Sequence, residues 1–111
     1  MRTMNTDTTA TIQNLKDKIL SFQKERNWTD YHQPRHIAVS ICLEAAELLE
    51  IFQWNDKNDM EALKKDDSYQ QLKDELADVL IYCMTMATAM RIDVAECIDE
   101  KMKKNAVKYP V

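Results

Sequence analysis

Ile12, Leu15, Ile19 and Phe22 fall at steps of three, four and three, which predicts an amphipathic helix over "TIQNLKDKILSFQKERN". "WTDYHQP" interrupts this period, and Pro34 suits the first turn of a second helix that runs to about Trp54. "NDKNDMEALKKDD" is polar and reads as a connecting loop with room for one short helical turn after Asp59. Ser68 followed by Gln71 resembles a capping box that opens a third helix ending near Met90, and Asp93 followed by Glu96 does the same for a fourth, ending near Asn105. From Val79 to Met90 the third helix is apolar nearly all round, the pattern of a helix buried on every side. A lone bundle of four short helices leaves one side of each wet, so a second subunit is expected to cover this one.

Composition sharpens that picture. The chain has 111 residues with no glycine and only two prolines, so it lacks the turn chemistry of hairpins, and its charged and apolar residues are mostly good helix formers. The expected fold is all-α, a four-helix bundle assembled as a homo-oligomer. No repeat or linker divides residues 1–111, so one domain is expected, with an ordered helical core over about 9–110. A formal charge of −4 argues against wrapping nucleic acid, and an anionic ligand would need a metal or a local basic pocket. The polar start "MRTMNTDTTATIQ" has no signal-peptide core, and "VLIYCMTMATAM" is too short to span a bilayer, so no membrane partner and a cytoplasmic location are expected. Cys42, Cys83 and Cys97 lack CxxC spacing and sit in helical apolar patterns, which predicts buried reduced thiols.

The chemistry concentrates in "CLEAAELLEIFQW", where Glu44, Glu47 and Glu50 stand three apart on a greasy helix. Like charges at that spacing repel by a few tenths of a kcal/mol per pair, roughly. A solvated acidic face or a bound cation could offset this. A second pair, Glu75 and Asp78 in "DELADVLIY", repeats the spacing on the third helix. The two pairs converge if the helices pack antiparallel, and an oxygen-only set suits Mg²⁺, with Mn²⁺ as a substitute, better than zinc. Taken alone, such short motifs fit two solvated faces equally well. A di-iron carboxylate bundle drops out, because His32 and His36 flank Pro34 instead of following a glutamate by three.

"EAAELLEIFQW" and "DELADVLIY" together resemble the signature of the MazG-like, all-helical nucleoside triphosphate pyrophosphohydrolases. "RNWTDYHQPRH", "FQW" and "KMKKNAVKYP" are similar to the branch that includes the dCTP pyrophosphatases, and the similarity runs in the family's order from about Ile12 to Pro110. One departure is Leu43, where the wider family's EExxE form has a glutamate. The resemblance implies that Glu44, Glu47, Glu75 and Asp78 hold Mg²⁺, and that a nucleoside triphosphate and water give the monophosphate and pyrophosphate. It implies that Glu44 or Glu47 orients the attacking water as the catalytic carboxylate; Glu50 reads better as a surface or intersubunit charge. Lys101, Asn105, Lys108 and Tyr109 match positions that resemble the family's phosphate and sugar contacts, and Trp28 and Trp54 its aromatic pocket for the base; read alone, Lys101 also suits the C-terminal half of a helix and each tryptophan a staple or lid at a helix boundary. Tyr82, on the same face as Asp78, could reach the nucleotide or simply pack; His32 could touch the base edge or order the turn before Pro34.

On an unbroken helix Trp28 and Trp54 would stand about 39 Å apart, so the pocket is expected to be shared between subunits. The resemblance implies a tetramer, a dimer of dimers, serving nucleotide-pool house-cleaning on dCTP or related dNTPs. Within the fold the alternative is a different or modified substrate such as dUTP. Outside it, the alternative is a non-catalytic helical interaction module.

Overall fold

The computed structural model describes residues 5–54 and 59–111. Residues 55–58, the start of the expected connecting loop, and residues 1–4 of the polar N-terminal stretch lie outside them. Among the described residues there are five α-helices and no strand: α1 (Ile12–Glu25), α2 (Pro34–Glu50), α3 (Met60–Lys64), α4 (Ser68–Met90) and α5 (Val94–Lys108), with a 3-10 turn at Thr29–Tyr31. None of these helices is long and apolar enough to cross a membrane.

Helix starts follow local chemistry. Thr11 caps α1 reciprocally: its Oγ1 accepts from the Asn14 amide at 3.0 Å, while Asn14 Oδ1 accepts from the Thr11 amide at 3.0 Å. Pro34 occupies the first turn of α2, and the Asp93 carboxylate accepts from the Glu96 amide at 2.9 Å to open α5. Ser68 does not cap α4. The chain winds from α3 through i→i+3 hydrogen bonds directly into α4, so the residue at the cap position, Asp67, is already helical (φ −59°, ψ −27°) and the extended geometry a capping box needs is absent. Ser68 Oγ instead bonds Asp66 Oδ2 at 3.1 Å. α2 also stops short of Trp54: its last turn tightens into i→i+3 bonds from Phe52 to Leu49 and from Gln53 to Glu50.

Without glycine, two helices end on residues forced into the left-handed region. Asn27 (φ 58°) closes α1, with the Trp28 amide bonding Gln23 O and the Asn27 amide bonding Lys24 O, a Schellman pair. Arg91 (φ 54°) closes α4 in the same way, with Ile92 bonding Ala87 O and Arg91 bonding Thr88 O. Asparagine tolerates this conformation; arginine pays a steric cost.

α4 is the spine, and α2 and α1 both pack along it. α1 runs antiparallel to α4, because Lys16 Nζ reaches Ile92 O (2.6 Å) while Gln23, further along α1, reaches back to Thr85 (3.0 Å). The core of one protomer is thin. Among the described residues only Ile37 and Ala87 of the apolar side chains, with Gln23 and Thr85, are buried. The apolar belt of α4 is not covered on every side, since Leu80 is 49% exposed and Leu76 and Met90 are similarly open. α5 buries no residue and packs little against the rest, so a single protomer does not close the four-helix bundle expected from the pattern. The radius of gyration is 16.6 Å, against about 13 Å for a compact chain of this size. The cysteines are all free, but they are not buried as expected: Cys83 is half-buried, and Cys42 on α2 and Cys97 on the little-packed α5 are exposed within the protomer.

Arg91→Gly relieves the left-handed strain at the end of α4 and should stabilise the chain by about 0.5–1 kcal/mol, net of glycine's greater freedom when unfolded. Thermal melts at matched protein concentration should show a midpoint a few degrees higher; a fall would mean that the Arg91 side chain contributes more than its backbone costs.

Candidate active site

Packing of α2 against α4 brings four carboxylates together. One oxygen each from Glu44, Glu47, Glu75 and Asp78 lies within 4.8 Å of all the others. Glu44 and Glu47 come from one α2 turn, Glu75 and Asp78 from one α4 turn, so each i,i+3 pair points at the other. Glu50, a further step along α2, is exposed and outside this group.

Two unit charges at this separation repel by about 1 kcal/mol in water-like surroundings and by about 3–4 kcal/mol at the effective dielectric of a protein surface. Four ionised carboxylates make this cost several times over, so protons or a cation must occupy the group. The side chains record that pressure. Burial first, then a proton shared with Glu47 and the charges of Glu47, Asp78 and Glu75, lift the Glu44 carboxyl from 4.5 to about 7. Glu75 is raised for the same leading reason, with Glu47, Asp78 and Asp74 adding to it. Glu44 Oε2 and Glu75 Oε2 are buried with no hydrogen-bond partner. Buried acceptors without donors are costly. An oxygen-only set with orphaned, inward oxygens suits a hard divalent cation such as Mg²⁺ or Mn²⁺.

Beside this group opens a cavity of about 430 Å³, walled by Ile19, Phe22, Trp28, Ile81 and Tyr82, with Lys18, Gln23, His32 and Asp78 as its polar members. Asp78 belongs to both features, and Tyr82 follows it by one turn of α4, which joins the acidic group to an aromatic pocket. Phe22 and Trp28 meet edge to face with centroids 5.6 Å apart. The Arg26 guanidinium lies 3.5 Å from the Phe22 centroid and donates to Phe22 O at 2.9 Å, fixing the wall.

Of the residues singled out from sequence, Trp28, His32 and Tyr82 share this pocket. Trp54 does not; it is 91% exposed just beyond α2. Lys101, Asn105, Lys108 and Tyr109 lie on α5 and at its end and line none of the cavities described. Lys108 Nζ instead sits 5.4 Å from the ring centroid of Tyr109. Phe22 and Gln23 were not singled out as site residues. Phe22 carries a legible signal, as the last apolar position of the stripe before the turn bearing Trp28, whereas nothing local marks Gln23.

Glu44 holds its proton more tightly folded than unfolded. Between pH 4.5 and about 7 the folded chain therefore binds protons that the unfolded chain has released, and this contribution makes metal-free stability fall as pH rises through that window. Glu44→Gln should flatten the fall relative to the parent in metal-free thermal melts across that range. An identical pH slope in the two proteins would show that Glu44 titrates normally.

A sequence model described as the MazG-like family matches residues 39–111. The dCTP pyrophosphatase 1 of Mus musculus is 34% identical over 104 residues, covering 91% of this chain and 60% of that protein. That of Homo sapiens is 35% identical over 103 residues, 90% of this chain and 59% of that protein. The chain thus spans about three-fifths of the length of these curated relatives. A crystal structure of a pyrophosphatase from Archaeoglobus fulgidus DSM 4304 superposes with a TM-score of 0.80 at 36% identity, covering 100% of this chain and 99% of that one.

Proposed function

The chain belongs to the MazG-like family, and we propose that it hydrolyses deoxynucleoside triphosphates, dCTP and close relatives foremost, to the monophosphate and pyrophosphate as part of nucleotide-pool maintenance. The observation that carries this reading is the group of four carboxylates with two orphaned buried oxygens, opening through Asp78 onto an aromatic pocket. A merely solvated acidic face would leave those oxygens in water. The relatives named dCTP pyrophosphatase 1 and the superposable pyrophosphatase point to the same chemistry.

Glu44, Glu47, Glu75 and Asp78 would hold Mg²⁺, which when bound neutralises triphosphate charge and polarises the phosphoanhydride. Glu47 is the solvent-exposed member, whereas Glu44 is more enclosed, so water reaches Glu47 first. Its carboxylate would orient that water and take its proton while the water oxygen bonds to phosphorus and pyrophosphate leaves. Trp28 and Tyr82 would pack the base, a sequence-tolerant contact worth roughly 1–3 kcal/mol, with His32 at its edge.

A second copy of the chain would complete the site. The exposed apolar residues of α4 and the unpacked α5 support a homo-oligomer, a tetramer of paired dimers in our reading, that brings Trp54, Lys101, Asn105, Lys108 and Tyr109 of one subunit to the pocket of another. In it, these four α5 and C-terminal residues would contact phosphate and sugar.

With Mg²⁺ and a panel of nucleoside triphosphates, the protein should release pyrophosphate, and EDTA should abolish turnover. Asp78→Asn should lower kcat by at least 10²-fold, while the metal-free melting temperature holds or rises because a like charge is gone. Orthophosphate and a diphosphate as products, or an equally active Asp78→Asn protein, would defeat the assignment.

Association has its own check. Leu80 is half exposed in the protomer, so Leu80→Glu disturbs little within one chain but puts a charge into the proposed interface. Light scattering should show the parent as an oligomer and the variant at a lower mass. A parent that stays monomeric at micromolar concentration would contradict the shared site.

A further inference from the structure

The Gln23 side chain is 5% exposed, and its Nε2 donates to Thr85 Oγ1 at 3.0 Å across the α1–α4 packing. Thr85 Oγ1 in turn donates its only hydrogen to Ile81 O at 2.8 Å, a back-bond within α4. With that hydrogen used, the hydroxyl can offer Gln23 only lone pairs, so the amide must present its NH₂ to Thr85. The orientation follows from the hydrogen inventory, and Gln23 Oε1 is the atom left over. It accepts nothing from the described residues, although Gln23 lines the 430 Å³ cavity with Phe22, Trp28, His32, Tyr82 and Asp78. It is not among the buried oxygens that lack a partner, so it opens onto the cavity, where a donor from a ligand can take the place of water.

We propose that Gln23 is a specificity-determining residue whose Oε1, locked outward by Thr85, accepts from the exocyclic amino group of a base held in the aromatic pocket. The ligand class is a nucleotide with an amino-bearing base, and a pyrimidine with an oxo group at that position is rejected because two acceptors then face each other. Thr85 is a positioning residue: it touches no ligand and acts through the amide it holds. The proposal rests on the reading of the cavity as a base pocket, and Gln23 adds a choice between bases that stacking on Trp28 cannot make.

The test is calorimetric titration of dCMP and dUMP, which differ in the 4-amino against the 4-oxo group and in the N3 hydrogen that accompanies the oxo form, without metal and therefore without turnover. The parent should bind dCMP about 3- to 10-fold tighter than dUMP, the range of one net hydrogen bond. Gln23→Leu should bring the ratio near one. Thr85→Val, which frees the amide to turn, should narrow it, and Thr85→Ser, which keeps the hydroxyl, should restore it. If Gln23→Leu fails to fold, the Thr85 pair carries the test alone. A parent without preference, a ratio unchanged in a folded Gln23→Leu protein, or Thr85→Val and Thr85→Ser behaving alike would overturn the proposal. A parent that discriminates the monophosphates yet hydrolyses no triphosphate would leave Gln23's role standing and remove the hydrolase reading instead.

Discussion

Packing α2 on α4 is possible only if the repulsion among Glu44, Glu47, Glu75 and Asp78 is carried by something, and the rest of the molecule is arranged around that constraint. Within 4.8 Å of one another, four full charges would work against the helix pair that creates them. The protein meets this locally by raising the Glu44 and Glu75 carboxyls toward neutrality and leaving two oxygens turned inward without donors. That is a poor arrangement for a purely structural interface and a suitable one for a cation. Stability of the metal-free chain and affinity for a metal are therefore opposed properties of the same residues.

Asp78 and Tyr82 extend the constraint into the proposed binding site. One turn of α4 separates the carboxylate in the acidic group from the phenol in the aromatic pocket, and α1 closes the far side with Phe22 and Trp28. Gln23 links the two functions of α1. Its backbone carbonyl accepts from the Trp28 amide and so holds the turn that presents the tryptophan, while its side chain ties α1 to Thr85 on α4. A buried polar rung of this kind contributes modestly to stability but defines the register of α1 on α4, because a slip would strand both groups.

The protomer is an open structure. Its radius of gyration, its thin core and the unpacked α5 describe a chain whose apolar surface exceeds what one copy can bury. In the proposed oligomer, folding and association would be linked by mass action, and apparent stability would depend on concentration. The same openness accounts for the scattered positions of the α5 residues and Trp54: within one copy, no packing draws them to the pocket.

Much of this was legible without coordinates. The i,i+3 spacing of Glu44 with Glu47 and of Glu75 with Asp78, Pro34 at a helix start, Asp93 ahead of Glu96 and the absence of glycine are local facts, and helix geometry turns each into a placement. The convergence of the two acidic pairs needed only that two helices meet. What tertiary structure decided was everything that depends on distant partners. Ser68 failed as a cap because α3 winds into α4 and removes the extended backbone a cap requires. Phe22, an ordinary member of an apolar stripe, became a pocket wall because the α1–α2 turn folds Trp28 against it. Gln23 and Thr85 are 62 positions apart and unremarkable in their own segments. Only the docking of α1 on α4 buries them together, and only the single hydroxyl hydrogen of Thr85, already given to Ile81, decides which end of the Gln23 amide is left for a ligand.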